Sequence, residues 1–547
     1  MAKHSKYSAP ARLDNSSRNE IGKSTALISL CTLVSRLTGL GRTWAMAFAL
    51  GQSVLSGSYA IANNLPNLLY ELVAGGMLVT AFLPVYLSVR QKLGKNHANN
   101  FASNVFTILL ILLGLASVLC ILFANFVVSS QNMLNNSADM TYATTLFRFF
   151  AIQILFYGIS SLTSAILNAN KKYIWAAIAP AANNIVLIST FLLYTAIIPI
   201  NPNAAFMVLA IGNPLGVFIQ MVIQWPALKK SGLRLRLHIN LKDPALKEVV
   251  SLGLPTLLVF AVTFIVVSVQ SSAANVFLPS EGPSVIAYAR LWYTLPFAFL
   301  AVPITTTMFT ELSIIYNNGN ESGFSKLCVK AGNQIIFLLI PFSLYLIVFA
   351  PQLITLFVAG EFKAEDVNTI ALYLSTLALT LPLYGISVYL EKVFSVIRKM
   401  KLFAVVNVIG AILQVALTLS VSAIYSNNIL DIGIESIALV SLSFYLFVDV
   451  VLYIYLKLKL VDFSLKSCVL TCVYSSILGF AGALAGYLLI RLCVDILAVP
   501  TGNIFAALAM LAVCGTISII VTYGLALVLK VPESNAIKAI LNRITSR

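Results

Sequence analysis

Long apolar runs alternate with short polar breaks along the chain from Ser24 to Lys530. Most runs are roughly 20 residues or more, the length a helix needs to cross the hydrocarbon core of a bilayer. Fourteen segments can be drawn, near 24–50, 57–89, 101–128, 141–170, 173–197, 203–228, 246–276, 283–313, 331–350, 367–396, 402–424, 434–456, 468–491 and 503–530. Each is read as a helix, because in lipid a spanning backbone must satisfy its own polar groups. The breaks leave no room for a soluble domain. The pattern predicts a basic tail over 1–23, an N-lobe of six segments over 24–228, and a basic linker over 229–245. A C-lobe of six segments over 246–456, two further segments over 457–530 and a tail over 531–547 complete it. The expected fold is an all-α polytopic membrane protein, with two pseudo-symmetric lobes around a central cavity.

Composition agrees. Of 547 residues, 59% are apolar and 10% charged, against about 25% charged in soluble domains. An ordinary soluble enzyme, a disordered chain and a disulfide-rich scaffold are excluded. The 35 Lys+Arg exceed the 19 Asp+Glu, giving a formal charge of +16. In a soluble protein this excess would suggest nucleic acid. Here 28 of the 35 basic residues fall in the two tails and in alternate loops, and the other loops hold only Lys363 and Arg491. The positive-inside rule then places both termini in the cytoplasm, with the basic loops facing anionic membrane lipids and no nucleic acid as partner.

Five basic residues lie within the segments themselves: Arg36, Arg42, Arg148, Arg290 and Lys392. Each costs about 2.5–3.5 kcal/mol on insertion scales unless it finds a partner, a wet cavity or the interface. Arg148 near an outer end and Lys392 beside Glu391 at an inner end are expected to be interfacial. Arg36 lies near mid-span, and Arg42 follows six residues later, about 9 Å along the axis. Ser35 precedes this pair, and Gly39 and Gly41 allow close packing within it.

The second segment gathers Asn63, Asn64 and Asn67 around Pro66, followed by Glu71 and the pair Gly75-Gly76. Such a helix suits a polar cavity, with Pro66, Gly75 and Gly76 as a hinge. Glu71 is a candidate partner for Arg36 or Arg42. The eighth segment repeats the pattern, because Tyr288-Ala289 and Leu295-Pro296 echo Tyr59-Ala60 and Leu65-Pro66, with Arg290 between. An arginine from each lobe would build an anion site, since guanidinium binds phosphate bidentately. Asp449, mid-span in the twelfth segment, is a candidate for ion or proton coupling. The seven cysteines fall mostly in apolar helices, the three histidines in polar stretches, and no nucleotide, zinc or nucleophile motif occurs. No metal, cofactor or catalytic residue is expected. The reading is a transporter, not an enzyme.

Several blocks carry a resemblance. Ser35-Arg36-x-x-Gly39-x-x-Arg42, Asn64-Leu65-Pro66-Asn67-Leu68 and Ala81-Phe82-Leu83-Pro84-Val85 resemble the S-R-x-x-G-x-x-R, L-P-N-L-L and A-F-x-P-V patterns of the MurJ/MviN lipid II flippase family. Ala165 to Asn170, with Ala179-Pro180 and Asn184, form a further matching block. The resemblance covers the first six segments well, and the rest in number, spacing and charge pattern. It implies the fourteen-helix fold of the multidrug/oligosaccharidyl-lipid/polysaccharide exporter superfamily. It also implies a multi-pass protein of the inner (plasma) membrane that moves the undecaprenyl-diphosphate-linked peptidoglycan precursor, a lipid-linked anionic oligosaccharide, from inner to outer leaflet by alternating access. Arg36 and Arg42 would contact the diphosphate and Ser35 the cavity, with cell-wall synthesis machinery as an expected neighbour. A drug or polysaccharide exporter of the same superfamily, or a structural membrane protein without transport, is the alternative. The chain departs from the pattern at Thr43, where members often have Asp, and at Tyr70-Glu71, where arginine often follows. Leu291 fills the slot where many members place the eighth-segment arginine. Some members bind sodium with carboxylates of the seventh, eleventh and twelfth segments; only Asp449 stands mid-span there.

Overall fold

A computed structural model describes residues 15–75, 81–135, 138–232 and 235–534. Its first half holds α1 (Asn15–Leu50), α2 (Val54–Tyr70), α3 (Leu83–Leu93), α4 (Lys95–Leu122), α5 (Ala124–Ser129), α6 (Thr141–Phe150), α7 (Gln153–Ala169), α8 (Tyr173–Ile197), α9 (Pro202–Val222) and α10 (Trp225–Lys230). The second half holds α11 (Pro244–Phe277), α12 (Gly282–Pro296), α13 (Val302–Asn317), α14 (Glu321–Thr355), α15 (Val367–Ala378), α16 (Leu381–Val396), α17 (Met400–Ser426), α18 (Glu435–Lys459), α19 (Leu465–Arg491) and α20 (Ile504–Val528). Each of the fourteen predicted segments is occupied by helix. Among the described residues, ten stretches are long and apolar enough to span a membrane unbroken, and two more qualify as bent pairs, α6 with α7 at 42° and α15 with α16 at 47°. The arginine-bearing α1 and the 17-residue α2 are not among these twelve.

Proline chemistry accounts for two further interruptions. Proline lacks the amide N–H and its ring clashes with the carbonyl one turn earlier. Pro66 stands inside α2, which gives way to a π-helical turn over Glu71–Gly75. Pro296 ends α12, and a π-helical turn follows over Phe297–Ala301 before Pro303 opens α13. The two Leu-Pro sites seen as an echo in the sequence each precede a π-helical turn, which starts five residues after Pro66 and directly after Pro296. Within the first half α8 packs on α1 and α9; in the second α14 packs on α19 and α11 on α17. Close approach of α8 and α9 needs glycine. A methyl at Gly212 would strike Thr190, and one at Gly216 would strike Asn183.

The two halves are tied at the end away from the basic loops. Trp44 Nε1 donates to the Leu356 carbonyl (3.1 Å), Tyr288 Oη to that of Gly51 (2.7 Å), and the Glu361 amide to that of Phe48 (3.0 Å). The loop after α5 joins the tie. Gln131 Nε2 donates to Ser268 Oγ (2.6 Å), the Leu134 amide to Ser272 Oγ (2.6 Å), and Asn275 Nδ2 to the Gln131 carbonyl (3.3 Å).

Candidate functional site

Between the halves lies a cavity of about 750 Å³. From α1 it receives Ser35, Arg36, Gly39 and Arg42, and from α2 Tyr59, Asn63 and Asn64. From α12 it receives Arg290 and Thr294. The spacing in α1 is decisive, since residues three and four apart share a face. Arg36, Gly39 and Arg42 step along that face, and Gly39 leaves space between the two arginines. Arg36 and Arg290 are exposed to the cavity, while Arg42 is half-buried.

The wall is cationic because nothing neutralises it. No acidic side chain lines the cavity among the described residues. The ion pairs among those residues are Lys363–Glu365, Lys392–Glu391 and Arg491–Asp495, none of which involves Arg36, Arg42 or Arg290. Three guanidinium groups thus face one space without a hydrogen bond or ion pair among the described residues, a geometry suited to a multiply charged anion.

Neighbouring amides hold the wall in place. Asn184 of α8 donates through Nδ2 to the Ser35 carbonyl and to Thr38 Oγ1, both at 3.2 Å. Asn213 of α9 donates to Asn63 Oδ1 at 2.8 Å, which fixes that side chain at the cavity edge. Gln270 of α11 also lines the cavity, and its Nε2 donates to Ser441 Oγ at 3.0 Å. The sequence places Asn184 in a motif that gives it no role, and Asn213 and Gln270 belong to no motif. The available signal was an amide side chain inside an apolar run.

Other expected residues lie elsewhere. Asn67 and Glu71 are not on the cavity wall; Asn67 Nδ2 donates to Glu71 Oε1 at 3.0 Å. This replaces the expected pairing of Glu71 with Arg36 or Arg42. One helical turn separates the two partners, so the carboxylate is satisfied within its own helix. Pro66 is buried within α2, Gly75 ends the π turn, and Gly76 lies outside the described residues. Arg148 is exposed in the last turn of α6, and Lys392 pairs with Glu391 at 3.0 Å with both side chains about 40% exposed (40% and 42%).

Arg290 has a second environment. A smaller chamber of about 190 Å³ lies among α11, α12, α15, α17 and α18, and Arg290 lines it together with Tyr373, Asn407, Gln414 and Tyr445. No carboxylate lines this chamber among the described residues. Asp449 lies one turn beyond Tyr445 on α18, buried and away from both spaces. Its Oδ1 accepts from Ser387 Oγ at 2.5 Å, and Oδ2 has no hydrogen-bond partner among the described residues.

The sequence profile of the family described as lipid II flippase MurJ matches residues 46–500. The chain belongs to the lipid II flippase MurJ family. It is 26% identical over 375 residues to a probable lipid II flippase MurJ of Rhizobium meliloti, covering 66% of this chain and 68% of that one. It is 28% identical over 357 residues to the lipid II flippase MurJ of Burkholderia cenocepacia, covering 64% and 68%. In fold it is similar to a solved lipid II flippase MurJ in an inward closed conformation, with a TM-score of 0.73, 20% identity, and coverage of 92% of this chain and 99% of that one. An inward-facing multidrug resistance MATE transporter of the MOP superfamily follows at a TM-score of 0.58 and 15% identity, covering 79% and 94%. MurJ family members are inner-membrane transporters, not enzymes, and the spans described above accord with that class.

Proposed function

We propose that this chain is a flippase that carries the undecaprenyl-diphosphate-linked peptidoglycan precursor, lipid II, from the inner to the outer leaflet by alternating access. The observation that carries the reading is the shared cavity of Arg36, Arg42 and Arg290, three cations without an acidic partner among the described residues. A diphosphate fits this arrangement, because each guanidinium offers a planar fork of donors to phosphate oxygens. Ser35, Asn63 and Asn64 supply neutral hydrogen-bonding groups beside the arginines for the sugar and phosphate oxygens. Pro66 and Pro296, each followed by a π-helical turn, give each lobe a bendable helix at the cavity. The cationic wall disfavours export of cationic drugs, which would call for carboxylates. Anionic lipids at the basic loops and the cell-wall synthesis machinery are its proposed neighbours.

The test is complementation of a bacterium depleted of its own lipid II flippase. The wild-type chain restores growth and shape, while Arg36→Ala and Arg42→Ala insert normally and fail to do so. A wild-type chain that inserts without rescue would overturn the substrate assignment. Full rescue by Arg42→Ala would remove that residue from the anion grip.

A further inference from the structure

The linker between α10 and α11 is not a free loop. Its residues 236–240 are held against α4 by their backbone. The amides of Arg236, His238 and Asn240 donate to Ser103 Oγ (3.3 Å), Thr107 Oγ1 (3.0 Å) and Asn104 Oδ1 (2.8 Å), and Asn104 Nδ2 returns a bond to the Asn240 carbonyl (2.8 Å). Ser103, Asn104 and Thr107 lie where α4 passes from its polar first turns into its apolar run, and all three are buried. The N–H groups of alternate residues 236, 238 and 240 all point at α4, which is the geometry of an extended strand. In a strand successive side chains point to opposite faces, so the odd and even positions separate.

The sequence exploits that separation. Leu235, Leu237, Ile239 and Leu241 occupy the odd positions, and Arg236, His238, Asn240 and Lys242 the even ones. Leu235 packs against the apolar core formed around Phe82, Phe101 and Leu228, which fixes the direction of the odd face. Beyond it none of the described residues covers that face, since Leu237, Ile239 and Leu241 are 74%, 54% and 67% exposed. Three consecutive large aliphatic side chains on one edge of a strand have no reason to face water. On the other face Arg236 and Lys242 are exposed, and Lys229 and Lys230 end α10 close by in the chain. Trp225, exposed at the start of α10, is a residue type that favours the membrane–water boundary.

We propose that residues 235–242 form an amphipathic strap lying in the headgroup zone of the membrane, with Leu237, Ile239 and Leu241 dipping into the acyl region and Arg236 and Lys242 holding anionic phospholipid. The occupant is a lipid surface because the free face is apolar, its opposite face is cationic, and both border a membrane-spanning helix. The proposal rests on the reading that the basic loops face an anionic leaflet. It does not require lipid II as cargo. The strap would enrich anionic lipid beside the N-lobe, where an anionic lipid substrate arrives.

Nitroxide labels placed singly at 236, 237, 238, 239, 241 and 242 of the full chain, in nanodiscs of phosphatidylcholine with phosphatidylglycerol, test this. The background has Cys120, Cys472 and Cys493, the partly exposed native thiols, replaced by Ala, and its residual signal is subtracted. Oxygen collision is expected to dominate at 237, 239 and 241, and a water-soluble nickel reagent at 236, 238 and 242. Equal accessibility at all positions, or odd positions reached only by nickel, would refute the strap. In the same discs Arg236→Gln with Lys242→Gln is expected to lower the preference for spin-labelled phosphatidylglycerol over phosphatidylcholine several-fold, about fivefold per charge at most. An unchanged preference would remove the anionic-lipid half of the proposal. Rescue of a flippase-depleted strain is a separate readout, so loss of the substrate assignment leaves the strap testable.

Discussion

Asn184 of α8 donates one side-chain N–H group to the backbone carbonyl of Ser35, the residue immediately before Arg36. The bond presses α1 onto α8 at the level of the cavity and sets the direction from which Arg36 enters it. An amide bond of this kind contributes about 1 kcal/mol net. Asn184→Leu is expected to insert and keep its thermal stability within about 2 kcal/mol, yet to lose most flipping activity because the arginine wall loses its register. Growth rescue and melting in detergent, measured on the same preparation, check this. Full rescue would mean that α1 is held by packing alone.

The tie at the end away from the basic loops is built from few groups. Gln131→Ala with Ser272→Ala removes the side-chain bonds to Ser268 and to the Leu134 amide. At about 1 kcal/mol each, the loss shifts the balance toward a state open at that end by roughly thirtyfold. A cysteine at position 64, on the cavity wall, should then react faster with an impermeant maleimide added from outside. Unchanged labelling would show that the tie does not govern opening.

Pro66 lies five residues before its π-helical turn and Pro296 directly before its own. Replacing either with Ala restores a backbone donor and favours a straighter helix. Each variant is expected to be at least as stable as the wild type and to flip more slowly, with the double variant slowest. Melting and lipid transport in proteoliposomes separate the two effects. A faster double variant would rule out a bending role.

Asp449 is buried with one oxygen bonded to Ser387 and the other without a partner among the described residues. Asp449→Asn keeps an acceptor for Ser387 and removes the ionisable group. Under the ion-coupling reading, stability stays within about 1 kcal/mol, the worth of one hydrogen bond, while flipping loses its response to an imposed ion gradient. Asp449→Asn with a full gradient response would make the residue structural.

The sequence by itself determined the class, the helical character of the long apolar runs and which arginines lie within them, because a bilayer allows few ways to hide a backbone and penalises every buried charge. The echo of Leu65-Pro66 in Leu295-Pro296 was legible for the same reason, since proline acts locally. What lies across space was decided only by the tertiary structure. Glu71 was near enough in pattern to suit Arg36 or Arg42, yet it bonds Asn67 within its own helix, and Asp449 sits away from both cavities. The second chamber beside Arg290 depends on how five helices pack. The partners of Asn213 and Gln270 were not legible, because an amide in an apolar run announces a partner without naming it. Periodicity fixes which residues share a face of one helix, but only packing decides which faces meet.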